Sequence, residues 1–275
     1  MLDPSLPVEA QVSVSTRVLV PATAAAAVVA GAAAAAPRLA LIAQPASGLD
    51  NVDVGAAMAR GVVVCVAPGV NAASVAEAAL MSLLMVARRV LAARDICFEN
   101  RLLGQPLGVQ LAGKTLAIVG AGAVGRRVGA AAAALGMEVI LLNSKSTDLK
   151  AALQAAHAVS VHVPLTDATR GLFDAAAFAA CRPGCLFINY SRGAVVDEAA
   201  LLDALDSGHI GGAGLDVLTE EPASWAHPLV SHPRVVATPH IGVATRDIAA
   251  AYVELLVGNV VAVREGREPR FRVGD

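Results

Sequence analysis

Three residues whose side chains can act together on a carbonyl group lie in the C-terminal half of the chain: Arg192, Glu221 and His240. Arg192 stands in a tight Ser-Arg-Gly turn, where its guanidinium can bind a carboxylate through two parallel hydrogen bonds. His240 titrates near neutral pH and can pass a proton, while Glu221 can hold the imidazolium and raise its pKa. Beside a nicotinamide, an anion clamp, a proton carrier and an orienting carboxylate predict hydride transfer between a carbonyl and an alcohol.

Each of these residues has a purely structural alternative. Arg192 can cap a loop, Glu221 can belong to a solvated acidic turn, and His240 can be a buried, hydrogen-bonded histidine. Their occurrence together at strand ends favours a site. Of the other histidines, His162 follows a strand and can line a cofactor pocket without a proton role. The remainder are interpreted as structural or surface residues: His157, His209, His227 and His232.

A glycine-rich turn occupies residues 120–125, between an apolar strand pattern at 116–119 and an alanine-rich helical pattern that ends near Leu135. A second strand pattern follows at 139–142. Gly120 permits the tight turn, Gly122 lets backbone approach a pyrophosphate, and Gly125 lets the helix pack closely on the strand. The helix begins with Ala123 and Val124, and its first N–H groups would face the phosphates. The pattern predicts a dinucleotide site; the alternative is a glycine-rich turn in some other α/β domain.

Asn143 ends the second strand of this unit, where an acidic residue commonly binds the ribose hydroxyls. Without an acid, a 2′-phosphate meets no repulsion, and Ser144 and Lys145 can bind it. The sequence therefore favours NADP(H), with NAD(H) as the other possible cofactor.

Composition excludes several classes of protein. The formal net charge is −2 among 275 residues, and no basic cluster exceeds a pair, which argues against nucleic-acid binding. The four cysteines have neither zinc-site spacing nor the density of a disulfide framework, so we expect no metal and a reducing, cytoplasmic compartment.

Residues 18–36 form an alanine- and valine-rich run that imitates a targeting signal. Pro21 and Gly31 interrupt the run, and a strand pattern that belongs to a folded unit follows it at 39–43. We therefore expect an alanine-rich surface helix and no membrane association.

The remaining chain alternates strand and helix patterns, which predicts an α/β fold with a doubly wound parallel sheet. One long helix is predicted over residues 74–97, with Ser74 as its N-cap and Glu77 at capping-box spacing. Crossings between two domains are expected near Asn71 and Gly242. The other patterns predict strands at 62–66, 159–163, 186–189, 211–217 and 235–238, and helices at 198–206 and 246–263.

Several motifs in order resemble one known family. They are GLDNVD at 48–53, HVPLT at 162–166, NYSRG at 189–193, GLDV at 214–217, EP at 221–222 and TPHIG at 238–242. Over about residues 37–265 the chain is similar to the D-isomer-specific 2-hydroxyacid dehydrogenases, which include glyoxylate/hydroxypyruvate reductases, phosphoglycerate dehydrogenases and formate dehydrogenases.

The resemblance implies a Rossmann cofactor domain over residues 71–242 and a smaller, discontinuous, flavodoxin-like substrate domain over 1–70 and 243–275. It makes His240 the acid/base, Glu221 its partner and Arg192 the substrate anchor. Backbone around Ser47 and Gly48 would meet the substrate carboxylate. The residues implied to lie near the cofactor are Pro164, Thr169, Tyr190, Ser191 and Asp216. A homodimer through the helix at 74–97 and a substrate of the glyoxylate or hydroxypyruvate class are also implied.

The N-terminus departs from this family pattern. Relatives carry a further strand–helix–strand unit before the segment that matches residues 37–39, and no clean first unit is evident here. We expect a shortened substrate domain, or one that residues 8–36 complete differently. A catalytically weak, dehydrogenase-like module that binds a dinucleotide or acts as a scaffold is therefore the alternative interpretation.

Overall fold

The computed structural model describes residues 11–21, 26–100, 104–143 and 148–274. The chain divides into two compact units. The first comprises Met1–Asn71 and Thr245–Asp275, and the second comprises Ala72–Ala244.

Strands and helices alternate along the described residues. In chain order they are β1 (Val18–Leu19), α1 (Ala26–Ala35), β2 (Leu41–Ala43), α2 (Val54–Ala59), β3 (Val63–Cys65), α3 (Ala72–Ala87), α4 (Val90–Asn100), β4 (Thr115–Val119), α5 (Ala123–Ala134), β5 (Glu138–Leu142), α6 (Leu149–Ala155), β6 (Ala158–Val161), α7 (Ala175–Ala180), β7 (Cys185–Asn189), α8 (Glu198–Asp206), β8 (Ile210–Leu215), α9 (Pro228–Ser231), β9 (Val235–Ala237) and α10 (Arg246–Arg264).

The second unit contains a parallel sheet with the strand order β5-β4-β6-β7-β8-β9, which confirms the doubly wound fold class. Strands β6 and β7 are buried along their whole length because apolar side chains cover both faces of the sheet. One core is built around the rings of Phe173, Phe178 and Phe187, and the other packs α3 and α5 against the sheet. The strand order changes direction between β4 and β6, where open α/β sheets bind ligands.

The prediction of one long helix at 74–97 is wrong. Helix α3 ends at Ala87, Arg89 adopts a left-handed φ of 51°, and α4 begins at Val90. The N–H of Val109 donates to the carbonyl of Ala87 at 2.7 Å and so occupies an acceptor that a continuous helix would use itself. Ser74 lies inside α3 and is therefore not its N-cap; its hydroxyl donates to the carbonyl of Gly242 at 2.7 Å.

The first unit contains a parallel sheet with the order β1-β2-β3. Val18 pairs with Leu41, so residues 18–43 form a strand–helix–strand unit that the sequence did not reveal. Helix α1 confirms the expected alanine-rich surface helix, with Val29 and Ala32 packed into the apolar core of this unit. Its exposed residues are Ala30, Gly31, Ala34 and Ala35. A two-residue strand is too short to show periodicity, and a helix of alanine and valine carries no polar face to mark its orientation. No described helix combines the length and apolar character that a membrane span requires.

Candidate dinucleotide and acid–base site

The glycine turn after β4 has the conformation that the sequence predicts. Gly120 has φ +110°, and a Cβ there would collide with the backbone of His162. A Cβ on Gly125 would collide with the carbonyl oxygen of Gly120, so this glycine is needed for α5 to approach β4. A Cβ on Gly122 would meet no described residue within 4 Å. Packing against the described residues therefore does not require Gly122 to lack a side chain, and the space before α5 fits the close approach of a phosphate.

The residues predicted to surround this turn follow β4, β5 and β6, on both sides of the switch point. Ala123 and Val124 open α5, whose first N–H groups have no acceptor within the helix itself. Asn143 is exposed and directly follows β5. Ser144 and Lys145 lie outside the described residues. Beyond β6, the hydroxyl of Thr169 donates to the carbonyl of Pro164 at 2.6 Å and closes that loop.

His240 and Glu221 form a close pair after β9 and β8. Nδ1 of His240 lies 2.7 Å from Oε2 of Glu221, and the side chains are 25% and 33% exposed. The hydrogen bond to Glu221 raises the pKa of His240; burial opposes it, the charges of Glu221 and Asp216 reinforce it, and that of Arg192 opposes it. Because a carboxylate accepts at Nδ1–H, Nε2 is the nitrogen left to gain and release a proton.

The turn that carries His240 is held by Asp216, which is 3% exposed. One carboxylate oxygen accepts from the hydroxyl of Thr238 at 2.6 Å and the N–H of Ile241 at 2.8 Å. The other oxygen accepts from the N–H of Gly242 at 2.8 Å, and the carbonyl of Asp216 accepts from the N–H of His240 at 2.8 Å. These bonds over-determine the turn, in which His240 adopts a left-handed φ of 54°. The sequence assigned Asp216 only to the vicinity of the nicotinamide.

The turn that carries Arg192 is held by Asn189, a residue for which sequence reasoning gave no role. Its Oδ1 accepts from the N–H of Ser191 at 3.0 Å and from the Ser191 hydroxyl at 2.7 Å, and its Nδ2 donates to the carbonyl of Arg192 at 3.0 Å. The guanidinium of Arg192 donates to the Ser191 carbonyl at 2.9 Å. An asparagine that bonds to the backbone just beyond it is typical of tight turns, and this signal could have identified the role.

Gly193 joins this turn to the segment that carries Glu221. A Cβ on Gly193 would collide with the backbone of Leu218. The N–H of Leu218 donates to Oε1 of Glu221 at 3.2 Å, and the N–H of Thr219 donates to Oε1 of Glu198 at 2.6 Å. The second oxygen of Glu198 lies 3.4 Å from Nε2 of His227. Close packing therefore places the Arg192 turn against the segment that presents Glu221.

Two further predicted residues are turned into the protein core. The hydroxyl of Tyr190 lies 2.7 Å from Ser82 Oγ and 3.5 Å from Thr238 Oγ1. His162 has its Nε2 2.8 Å from Ser160 Oγ, while its buried Nδ1 has no hydrogen-bond partner among the described residues. Burial lowers the pKa of His162 to about 4.

Ser47 and Gly48 belong to the first unit, whereas the other predicted site residues that the structure describes belong to the second. The Ser47 hydroxyl accepts from the N–H of Gly69 at 3.4 Å, and the Gly48 carbonyl accepts from Nε2 of Gln44 at 3.1 Å. The loop after β2 is thus held by its own side chains.

Comparison with known proteins gives the family. The NAD binding domain of D-isomer specific 2-hydroxyacid dehydrogenases matches residues 80–242. D-3-phosphoglycerate dehydrogenase of Mycobacterium leprae is 41% identical over 226 residues, which cover 77% of this chain and 42% of that protein. Glyoxylate reductase of Aeropyrum pernix is 36% identical over 254 residues, which cover 85% of this chain and 76% of that protein.

Among solved structures, the NADPH-dependent glyoxylate/hydroxypyruvate reductase of Sinorhizobium meliloti in complex with NADP and malonate is similar, with a TM-score of 0.80 and 31% identity. The match covers 89% of this chain and 81% of that chain. The chain thus spans less than half the length of the M. leprae protein and about three quarters of the A. pernix protein. On these matches, which include most of the sheet that carries the glycine turn and His240, the chain belongs to the D-isomer specific 2-hydroxyacid dehydrogenase family.

Proposed function

We propose that this protein is a nicotinamide-dependent reductase of small 2-oxoacids of the glyoxylate or hydroxypyruvate class, which it converts to D-2-hydroxyacids. The observation that carries the proposal is the 2.7 Å pair of His240 and Glu221, in the same unit as the dinucleotide turn at 120–125. The A. pernix and S. meliloti relatives are named as reductases of this class, which supports the assignment.

In this proposal Arg192 binds the carboxylate of the oxoacid and stabilises the charge that develops on its carbonyl oxygen. Protonated His240 donates from Nε2 to that oxygen as it becomes an alkoxide. Glu221 keeps the imidazole oriented through Nδ1–H and favours its protonated form. The first unit would be the substrate domain, with the backbone around Ser47 and Gly48 as its substrate-binding segment.

Gly120, Gly122 and Gly125, with the first turn of α5, would hold the cofactor pyrophosphate, and Pro164, Thr169, Ser191 and the ring of Tyr190 would line its pocket. The bound nicotinamide supplies the hydride. The open space at Gly122 and the position of the turn at the strand-order switch support this fit.

The test is oxidation of NADPH and NADH by the purified protein with glyoxylate, hydroxypyruvate and pyruvate. His240→Gln should lower the rate by about 10²- to 10⁴-fold, since it removes the general acid. His232→Gln, just before β9 at its opposite end, is the matched control and should retain the rate. Turnover that survives in His240→Gln would reject the mechanism. An absence of turnover, together with stabilisation of the fold by NADPH, would support the non-catalytic dinucleotide-binding module instead.

We further propose a preference for NADP(H). Asn143 stands where an acid would bind the ribose hydroxyls of NAD(H), and the S. meliloti structure contains NADP. Asn143→Asp should shift the ratio of kcat/KM for NADPH over NADH toward NADH by about tenfold or more, since a carboxylate repels the 2′-phosphate. Asn143→Ser removes the amide without adding charge and should shift the ratio much less. A wild-type enzyme that uses NADH equally well would contradict the preference.

We also propose a homodimer that forms through α3 and α4. Four apolar side chains on these helices are about two-fifths exposed, which is typical of an interaction surface: Met81, Leu84, Val90 and Leu91. Leu84→Glu should convert a dimer to a monomer in sedimentation or light-scattering measurements. Met58→Glu places the same charge on an exposed methionine of the other unit and should leave the mass unchanged. A wild-type monomer would exclude the dimer.

A further inference from the structure

A continuous set of hydroxyl groups leads from the interior of α3 to the turn that carries His240. Ser82, which is fully buried, lies 2.7 Å from the hydroxyl of Tyr190. That hydroxyl lies 3.5 Å from Thr238 Oγ1, and Thr238 donates to Asp216 at 2.6 Å. The last member, Asp216, fixes the N–H groups of Ile241 and Gly242.

Charge gives these hydrogen bonds a direction. An ionised Asp216 only accepts, so the proton of Thr238 points to it and the Thr238 oxygen is left to accept from Tyr190. Tyr190 then accepts from Ser82. Burial raises the pKa of Tyr190, which keeps its hydroxyl protonated and able to donate at neutral pH. Each hydroxyl in the set is thereby satisfied, as buried polar groups must be to avoid a desolvation penalty.

Helix α3 holds the far end of this set in place. A Cβ on Gly214 would lie 2.8 Å from Cβ of Ser82, so α3 packs directly on β8. The same helix reaches the turn a second time, where Ser74 donates to the carbonyl of Gly242 at 2.7 Å. The turn around His240 is therefore fastened to α3 on both sides.

Resting on the function proposed above, we propose that Tyr190, fixed by Ser82, is a positioning residue that holds the imidazole of His240 at the distance from Glu221 that proton transfer needs. The charged groups that face His240 are Glu221, Asp216 and Arg192, and the hydrogen bond with Glu221 is the largest influence on the pKa of the ring. Loss of the Tyr190 hydroxyl removes one of the two hydrogen-bonding contacts that orient the Thr238 hydroxyl and leaves its bond to Asp216 as the other, which loosens the turn. Among the described contacts the Tyr190 hydroxyl bonds to neither His240 nor Glu221, so this hydroxyl acts on the imidazole through Thr238 and Asp216.

The experiment follows the His240 imidazole by NMR titration in the whole protein, because this readout needs no turnover. Tyr190→Phe should move the titration of His240 to lower pH and lower kcat roughly 3- to 10-fold, as expected for one buried hydrogen bond, with KM for the oxoacid within about twofold. Ser82→Ala should produce the same change, and the double variant should be no worse than either single variant. Tyr252→Phe, at the other tyrosine of the chain, should leave the titration where it is.

Thr238→Val and Thr238→Ser provide a second route if Tyr190→Phe does not fold. Valine should shift the titration and serine, which keeps the hydroxyl, should restore it. An unchanged His240 titration in folded Tyr190→Phe or Thr238→Val, or additive effects of Ser82→Ala and Tyr190→Phe, would overturn the proposal. If the wild-type protein reduces no oxoacid, the proposed function fails by itself, while the titration still decides whether Tyr190 positions His240.

Discussion

His162 and His240 both follow strands of the same parallel sheet, and they have opposite acid–base properties. His162 follows β6, is bonded to Ser160, and has its pKa lowered to about 4 by burial. His240 follows β9, and the hydrogen bond with Glu221 raises its pKa. A histidine at the carboxyl end of a strand is thus not by itself a proton carrier, because the groups around the ring decide which form is stable.

The two histidine rings differ in the backbone that follows their strands and in the groups that this backbone brings near them. His162 lies beside the glycine turn, where its carbonyl packs against Gly120, and it meets no carboxylate among the described contacts. His240 lies beyond the end of β9, in a turn that Asp216 holds, and has a left-handed φ. Its Nδ1 forms a hydrogen bond with Glu221. The difference teaches that the turn, more than the strand, brings His240 and Glu221 together.

Asp216→Ala should have the largest effect on the difference between His162 and His240. It leaves the Thr238 hydroxyl and the N–H groups of Ile241 and Gly242 without their acceptor, which should cost about 2–4 kcal/mol of unfolding free energy. Oxoacid reduction should fall by at least about 10²-fold, since His240 is no longer held against Glu221. Denaturant unfolding and steady-state kinetics measure the two effects.

The control for this variant is Asp174→Ala, which removes the N-cap of α7. It should cost about 1 kcal/mol of stability and leave kcat within about twofold. If Asp216→Ala loses no more activity than this control, the turn does not hold the acid–base pair.

Glu221→Gln should make His240 behave more like a histidine without a charged partner. In the proposed reduction of an oxoacid the active form of His240 is the protonated one, so activity should be present below its pKa and should be lost as pH rises through it. Because Glu221 raises that pKa, the glutamine variant should lose activity at a lower pH than the wild type. We expect kcat/KM to fall by about 10- to 100-fold at pH 7.5. If the glutamine variant loses activity at the same high pH as the wild type, a group other than His240 controls this high-pH limb of the activity profile.

The sequence predicted that Glu221 partners His240 but not what holds the two residues together. His240, Glu221 and Arg192 could be proposed because their side-chain chemistry is specific and each is predicted to follow a strand. Asp216 was assigned to the nicotinamide, whereas the structure shows both of its carboxylate oxygens engaged by the His240 turn. Hydrogen bonds from backbone N–H groups depend on φ and ψ at residues 240–242, which no side-chain pattern records.

The longer elements of the fold could be predicted from the sequence, whereas a helix break and a very short strand could not. The strands of the large sheet are apolar runs with clear limits, and the predicted helix 198–206 coincides with α8. The break after Ala87 was missed because it depends on the distant Val109, and β1 was missed because only Val18 and Leu19 form it. Tertiary contacts and very short elements leave little trace in local periodicity.

Glu198→Ala should loosen the segment that carries Glu221, the partner of His240, and should lower activity less than Glu221→Gln does. Glu198 binds the N–H of Thr219 two residues before Glu221, and its loss removes one support of that segment. We expect kcat to fall roughly 3- to 10-fold. The high-pH limb should move in the same direction as in Glu221→Gln but less far. Asp203→Ala removes an exposed acid from the same helix and should not move the limb; equal shifts in the two variants would point to a general charge effect.

His162→Gln should have the smallest effect at neutral pH and a distinctive one in acid. Because burial lowers the pKa of His162 to about 4, the folded protein keeps this ring neutral down to about that pH, whereas the unfolded chain takes up its proton near the ordinary pKa of 6.5. His162 therefore does not lower the unfolding free energy well above pH 6.5. As pH falls below 6.5 it lowers the unfolding free energy progressively, by about 2 kcal/mol at pH 5. Glutamine can still bond to Ser160 but cannot titrate, so the variant should lose less unfolding free energy than the wild type between pH 8 and pH 5. Equal losses in the two proteins would show that the contrast between His162 and His240 has no energetic consequence.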